Sequence, residues 1–295
     1  MSQDASPDQP LFASCSATTY NATFDEDVAA CRDAGVRGLG IWEYKLTDAD
    51  DAGRAARLAD AGMTATNCFP NTPGVIAGNA LFAQPKDPAE RLRMLCDSIR
   101  RFAAYNPVTV ICLAGAPYAD DPAESRRLVV DSFREASKVA DGEGVKLAIE
   151  VISPGTLGSQ ASTITEALEL AADAGGDNMG VLVDAWHSAG VPGIEDELRT
   201  YIDRVFGIQV CDRKSDFRSW YDRAYPGEGV LPLTELIKAA HDAGYRGWYE
   251  MELFSDDGKF GNDYHDSLWK QPPVEVLRRS RETFLEAYAK ATAAQ

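Results

Sequence analysis

Four short apolar runs in the second half of the chain carry an acid or an amide where a buried strand would ordinarily hold another apolar side chain. They are Glu150 in LAIEVIS, Asp184 with His187 in VLVDAWH, Gln209 in FGIQVCD, and Glu250 with Glu252 in YEMELF. A carboxylate left charged and unpaired inside a protein costs several kcal/mol, so each acid requires a cation or a set of hydrogen-bond donors. The strand cores around them offer no lysine or arginine at matching depth, since Lys146 stands at a strand start and Arg213 beyond a strand end. One buried acid alone is ordinarily a structural hydrogen-bonding group, but a bound divalent metal satisfies all four positions together. Oxygen donors from Glu, Asp and an amide carbonyl suit a hard ion, Mn2+ or Mg2+ ahead of a sulfur-bound zinc, with Co2+ as a substitute.

Such groups meet only if the chain brings several strand ends together. Short apolar runs at 11 to 19, 38 to 44, 64 to 70, 108 to 116, 146 to 153, 179 to 186, 206 to 212 and 247 to 254 are each followed by an amphipathic stretch. This strand-then-helix unit therefore repeats eight times. Asp-Pro pairs at Asp87-Pro88 and Asp121-Pro122 read as a helix cap followed by a first-turn proline. Eight units without a linker predict one α/β (β/α)8 barrel over residues 11–295 behind a disordered leader, 1–10, with an open eight-stranded sheet as the alternative. In a barrel the functional groups cluster at the C-terminal ends of the strands, where Glu150, Asp184, Gln209 and the pair Glu250 and Glu252 all fall.

The composition excludes several roles. Acidic residues number 46 against 29 basic ones, a formal charge of −17, which repels phosphate backbones and anionic lipid. Nucleic acid and membrane are accordingly not expected as partners. Six scattered cysteines form no CxxC pair, and neither an apolar signal segment nor an eighteen-residue apolar run is present, so a cytoplasmic setting is expected.

The glutamate of LAIEVIS, the DAWH of the sixth strand, FGIQVCD followed by PGEG (226 to 229), and AGYRGWYEMELF resemble the sugar phosphate isomerase/epimerase superfamily of xylose isomerase-like TIM barrels. The resemblance covers nearly the whole chain after the leader. It implies one metal held by Glu150, Asp184, Gln209 and Glu252, with glutamine standing where epimerases usually carry histidine and hydroxypyruvate isomerase-like members carry glutamine. It selects Glu252 over Glu250 as the ligand and places Glu250 deeper in the barrel. On spacing alone His187 is equally a surface residue; the resemblance makes it a contact to the metal or to a substrate oxygen.

A divalent ion chelating a carbonyl and the adjacent hydroxyl of a polyol stabilises the enediolate left when a carboxylate removes the proton between them. Glu150 and Glu252 would flank that carbon, giving an isomerase or epimerase of a sugar or sugar derivative. Loss of a β-substituent from the same intermediate gives the alternative, a lyase or dehydratase on a keto-sugar, an inosose or an oxidised glycoside, including C-glycoside cleavage. A DNA-repair phosphodiesterase of the same fold is disfavoured, because a trinuclear zinc site needs many histidines and this chain has three.

Aromatics near strand ends (Trp42, Tyr44, Phe69, Trp186, Phe254) are candidates to stack on a sugar, although packing under loops explains most such residues. Long segments at 71 to 88 and 255 to 273 are candidate lids, with Trp269 as an anchor. Of the loop arginines Arg213, Arg218 and Arg223, Arg218 is the selected substrate contact. PGEG is read as a turn rather than a phosphate cradle. The superfamily resemblance implies a homo-oligomer and is compatible with an auxiliary subunit.

Overall fold

Several of the predicted helices begin where a side chain holds the first free amides. Thr23 and Glu26 form a reciprocal capping box at the start of α1, Phe24–Ala34. Asp87 accepts from Ala89 N at 3.0 Å and Asp121 from Glu124 N at 2.9 Å, each with proline at the first helical position. The computed structural model describes residues 9–78, 82–153 and 158–293. The predicted leader falls largely on residues 1–8, outside the described residues.

The barrel strands are β1 (Leu11–Cys15), β2 (Gly38–Gly40), β3 (Thr64–Ala65, resumed as Asn67–Cys68), β4 (Thr109–Cys112), β5 (Leu147–Val151), β6 (Met179–Asp184), β7 (Val205–Val210) and β8 (Trp248–Met251). After α1 come α2 (Asp51–Asp60), α3 (Pro88–Ala103), α4 (Pro122–Glu143), α5 (Ile164–Ala174), α6 (Ile194–Tyr201), α7 (Leu233–Asp242) and α8 (Pro273–Thr292). All barrel pairings are parallel, each strand lies beside its neighbour in sequence, and β1 pairs with β8. The ring closes through Thr66, whose amide donates to Leu39 O on β2 at 2.9 Å and whose carbonyl accepts from Thr109 N on β4 at 3.2 Å. The architecture is a single TIM barrel, as the eightfold pattern predicts.

The main apolar core lies between strands and helices and includes Val110, Ile149, Val181 and Ile208 on the sheet, with Leu95, Phe133, Leu170 and Leu236 on the helices. Inside the ring, a second cluster runs from Cys15, Ala148 and Leu182 up to Trp42, Phe69 and Phe254 at the C-terminal mouth. All six cysteines are buried and unbridged. No helix among the described residues is long and apolar enough to cross a membrane.

The two candidate lids are pinned in place. Arg91 is buried on α3 and donates to Gly74 O at 2.7 Å and Phe82 O at 2.9 Å, while residues 79–81 of that segment lie outside the described residues. In the second segment the buried carboxylate of Asp256 accepts from the amides of Gly258, Phe260 and Asn262, and Trp269 stacks on Tyr20 with ring centroids 4.6 Å apart.

Candidate active site

Parallel register sets Asp184, Gln209 and Glu250 side by side at the ends of β6, β7 and β8, with Glu150 on β5 and Glu252 just past β8. All five are buried. Asp184 ends its strand by capping the next residues, since its Oδ1 accepts from Trp186 N at 2.9 Å and starts the single helical turn Ala185–Ser188. That turn carries His187 back over the strand end, where Nε2 lies 3.7 Å from both Glu150 Oε1 and Asp184 Oδ2.

Glu250 sits deepest. Its Oε2 accepts from the Thr66 hydroxyl and from Asn67 N at 3.2 Å, and its Oε1 accepts from Gln209 Nε2 at 3.1 Å. Room for it comes from Gly40, where a Cβ would lie 2.5 Å from the carboxylate. It forms the deeper polar layer that the sequence suggests. Gln209 Nε2 also lies 3.4 Å from Glu252 Oε1, which ties β7 to the cavity above.

The expectation that no arginine reaches the depth of the acids does not hold. Arg223 is 4% exposed, and its guanidinium lies 2.9 Å from Glu252 Oε2 and 3.3 Å from Asp184 Oδ2. It is clamped between Trp186 and Phe254, with its carbon 4.8 and 4.9 Å from the ring centroids. A two-residue ribbon delivers it: Asp212–Arg213 pairs antiparallel with Arg223–Ala224, and Arg223 N donates to Phe254 O at 2.8 Å. PGEG is the turn that holds this ribbon. Pro226 and Gly227 (φ 80°) occupy the corner of a turn closed by Glu228 N to Tyr225 O, as a type II turn favours. Asp212 then accepts from Gly227 N at 3.1 Å and Leu231 N at 2.9 Å.

Arg218 is placed elsewhere. Its guanidinium is held by Asp222 and Asp266, and its carbon lies 4.2 Å from the Tyr264 ring centroid. Among the arginines, Arg223 is the one that lines the cavity. The sequence places Arg223 three residues before PGEG, and only the ribbon returning from Asp212 aims it inward.

The cavity above these groups measures about 240 Å³, room for about eight waters. Glu150, His187, Arg223 and Glu252 supply its polar floor; Trp42, Phe69, Leu113, Trp186 and Phe254 supply apolar walls. Trp42 stacks on Phe69 with centroids 4.4 Å apart. The sequence-selected Trp42 and Trp186 thus both face the cavity, joined by Trp220 and Tyr221, which sequence reading did not single out.

Electrostatics set the protonation of the floor. Burial pushes the Glu150 carboxyl well above its ordinary range, reinforced by Glu252 and Asp184 and opposed by Arg223. Burial raises Glu252 to about 7, with Arg223 pulling the other way, and raises Glu250 to about 7 against hydrogen bonds from Thr66 and Gln209. Burial lowers His187 to about 4, so its imidazole is neutral at pH 7.

These residues fit a divalent cation. Three buried carboxylates (Glu150, Asp184, Glu252) face one guanidinium, leaving the cluster short of positive charge. Gln209 Oε1 and His187 Nδ1 are buried with no hydrogen-bond partner among the described residues. Ligand atoms of Glu150, Asp184 and His187 lie within 4.8 Å of one another, whereas donors bound at about 2.1 Å to one ion sit about 3 to 4 Å apart. Glu252 stands beside this triad, on Arg223.

Known proteins of similar sequence include isomerases and dehydratases. An inosose isomerase of Halalkalibacterium halodurans is 26% identical over 171 residues, 57% of this chain and 56% of that protein. A 3-dehydroshikimate dehydratase of Pseudomonas aeruginosa is 25% identical over 258 residues, 82% of this chain and 38% of that protein. The chain thus spans little more than half the length of the first relative and less of the second. The solved IolI protein with a bound zinc atom superimposes with a TM-score of 0.73 at 20% identity, covering 96% of this chain and 99% of that one, which speaks for the fold. Residues 28–287 match the family model described as xylose isomerase-like TIM barrel, and the chain belongs to that family.

Proposed function

We propose that this protein is a divalent-metal-dependent isomerase or epimerase that moves a proton on the carbon beside a carbonyl of a sugar or sugar derivative. The observation that carries this reading is the three-to-one excess of buried carboxylates over guanidinium at the floor of an apolar cavity, beside an unpartnered amide oxygen. Glu150, Asp184, Gln209 and Glu252 are the proposed ligands, and the oxygen-rich set favours Mn2+, with Mg2+ or Co2+ as substitutes. When bound, the ion supplies positive charge to the carbonyl and adjacent hydroxyl oxygens of the substrate.

The chain's own residues supply the rest. Glu150 and Glu252 reach the cavity from different strands and are the proposed proton carriers. His187 presents a neutral imidazole to a substrate oxygen. Arg223 fixes Glu252 by one oxygen, and the walls of Trp42, Phe69 and Phe254 exclude water. The same groups serve a β-elimination, and the dehydratase match over 82% of the chain supports a lyase as the second reading.

Elemental analysis of purified protein tests the core of the proposal. One divalent ion per chain is expected, lost in Glu150→Ala and Glu252→Ala; full retention in both variants overturns the site. Incubation of ketoses, inososes and 3-keto-glycosides in D2O separates the two reactions. Deuterium entering the substrate without an elimination product identifies an isomerase or epimerase, and an unsaturated product identifies the lyase.

A further inference from the structure

A second cavity, about 670 Å³, opens beside the first and shares Trp186, His187 and Trp220 with it. Its composition is unusual for a surface. Among the described residues four large hydrophobic side chains are exposed, and three of them, Phe217 (50%), Trp220 (38%) and Val230 (50%), line this one groove. A protein surface of this charge would be expected to cover such residues or lack them. Instead, Trp186, Phe217 and Trp220 form a ring cluster, with centroids 5.7 to 6.3 Å apart, that continues the aromatic wall of the reaction cavity outward.

The groove also has a charged end. The side chain of Arg213 lines it and makes no ion pair among the described residues, whereas the neighbouring Lys214 is held by Asp222 at 2.8 Å. Flat apolar walls with one available guanidinium match a planar aromatic group bearing an acidic or phenolic oxygen, through stacking and charge-assisted hydrogen bonding. The inner cavity, at about 240 Å³, has room for a small sugar by itself, which would leave the groove unused.

From this continuity we infer that the groove is an outer subsite for a planar aromatic substituent of the substrate, so that the molecule acted on is an aryl-bearing sugar derivative rather than a free sugar. The inference rests on the proposed sugar-derivative reading for its inner half. The outer half stands on the groove itself.

Three ligands separate these halves. 4-Nitrophenyl 3-keto-β-glucoside and methyl 3-keto-β-glucoside differ only in the ring, and 2-naphthoate carries a ring and an acid but no sugar. Calorimetric titration is expected to show the aryl glucoside binding about five- to tenfold tighter than the methyl one. That advantage should disappear in Phe217→Ala, whose side chain is half exposed and lines the outer groove alone. 2-Naphthoate, followed by tryptophan quenching, should bind wild type and Glu150→Ala equally and weaken in Phe217→Ala and Arg213→Ala.

Equal affinity for the two glucosides overturns the inference, as does equal weakening of both by Phe217→Ala. If neither glucoside binds but 2-naphthoate does, with the expected Phe217 dependence, the sugar reading fails and the aromatic subsite stands. Absence of naphthoate binding together with absence of an aryl preference overturns the subsite. Light scattering closes the remaining route: a wild-type oligomer that dissociates in Phe217→Ala shows the patch to be covered by another copy, and overturns it too.

Discussion

Two buried ionic clusters serve this barrel, and they are built on different arithmetic. Behind its first half, Lys45 and Asp27 form a one-to-one pair with Nζ to Oδ2 at 2.6 Å, completed by the Thr19 carbonyl on the lysine and the Thr19 hydroxyl on the other carboxylate oxygen. At the mouth of the second half, Glu150, Asp184 and Glu252 share Arg223, and Gln209, His187 and Arg223 each retain a buried polar atom without a partner among the described residues. A pair that holds structure balances its charge and its hydrogen bonds. A cluster kept out of balance is retained at the expense of stability, and the imbalance marks where another charged species is meant to enter.

The sharpest way to break this contrast is at the balanced pair. Lys45→Met should destabilise the protein by about 3–5 kcal/mol, because Asp27 is left buried without its cation. Adding Asp27→Leu should recover most of that loss, as urea unfolding of the single and double variants will show. In the unbalanced cluster the sign should reverse. Glu150→Gln removes one of three mutually repelling acids, so metal-free protein should gain about 1 kcal/mol by the same measurement at pH 8 while losing the ion.

The smallest effect is a pH slope. The Glu252 carboxyl, raised to about 7 by burial, holds its proton in the folded metal-free protein at pH values where the unfolded chain has released it near 4.5. Between those values the folded state binds more protons, so stability declines as pH rises through about 7. Asp27, raised by burial to about 6, adds the same sign at lower pH. The thermal midpoint of metal-free protein should fall by a few degrees from pH 5.5 to 8. Added Mn2+, which displaces the protons, should reverse the fall at the upper end. Glu250, also raised to about 7, keeps its part of the fall in Glu150→Gln/Glu252→Gln, and a shallower slope in that variant assigns the difference to these two acids.

The strand and helix pattern was legible because several helices carry their own local signals. Helix α4, for example, runs from Pro122, behind the Asp121 cap the sequence predicts, to Glu143, and stops at Gly144 with φ 70°. Boundaries set by tertiary contacts were not legible. The sixth strand stops at Asp184 rather than Trp186, because the aspartate turns its carboxylate onto Trp186 N and winds the next residues into a helical turn. The third strand breaks at Thr66, where the ring closes. Strand acids could be read because alternation fixes which side chains share a face. Arg223 could not, because its position depends on a two-residue ribbon whose register is set by Asp212 and by the backbone of Phe254.

That ribbon makes the barrel modular. The chain leaves the wall at Val210 and rejoins it at Leu233, and between those points it carries Arg213, Phe217, Trp220 and Arg223 to the mouth. The candidate ligands stay behind on the strands. Because Asp212 fastens both ends of the excursion to each other, the stretch between Arg213 and Arg223 can change in length and sequence while Arg223 and the strand-borne acids keep the floor. Descendants of this protein can therefore acquire new substrates by rewriting one loop while inheriting the same chemistry, and a grafted excursion from a relative is the shortest route to a new specificity in the laboratory.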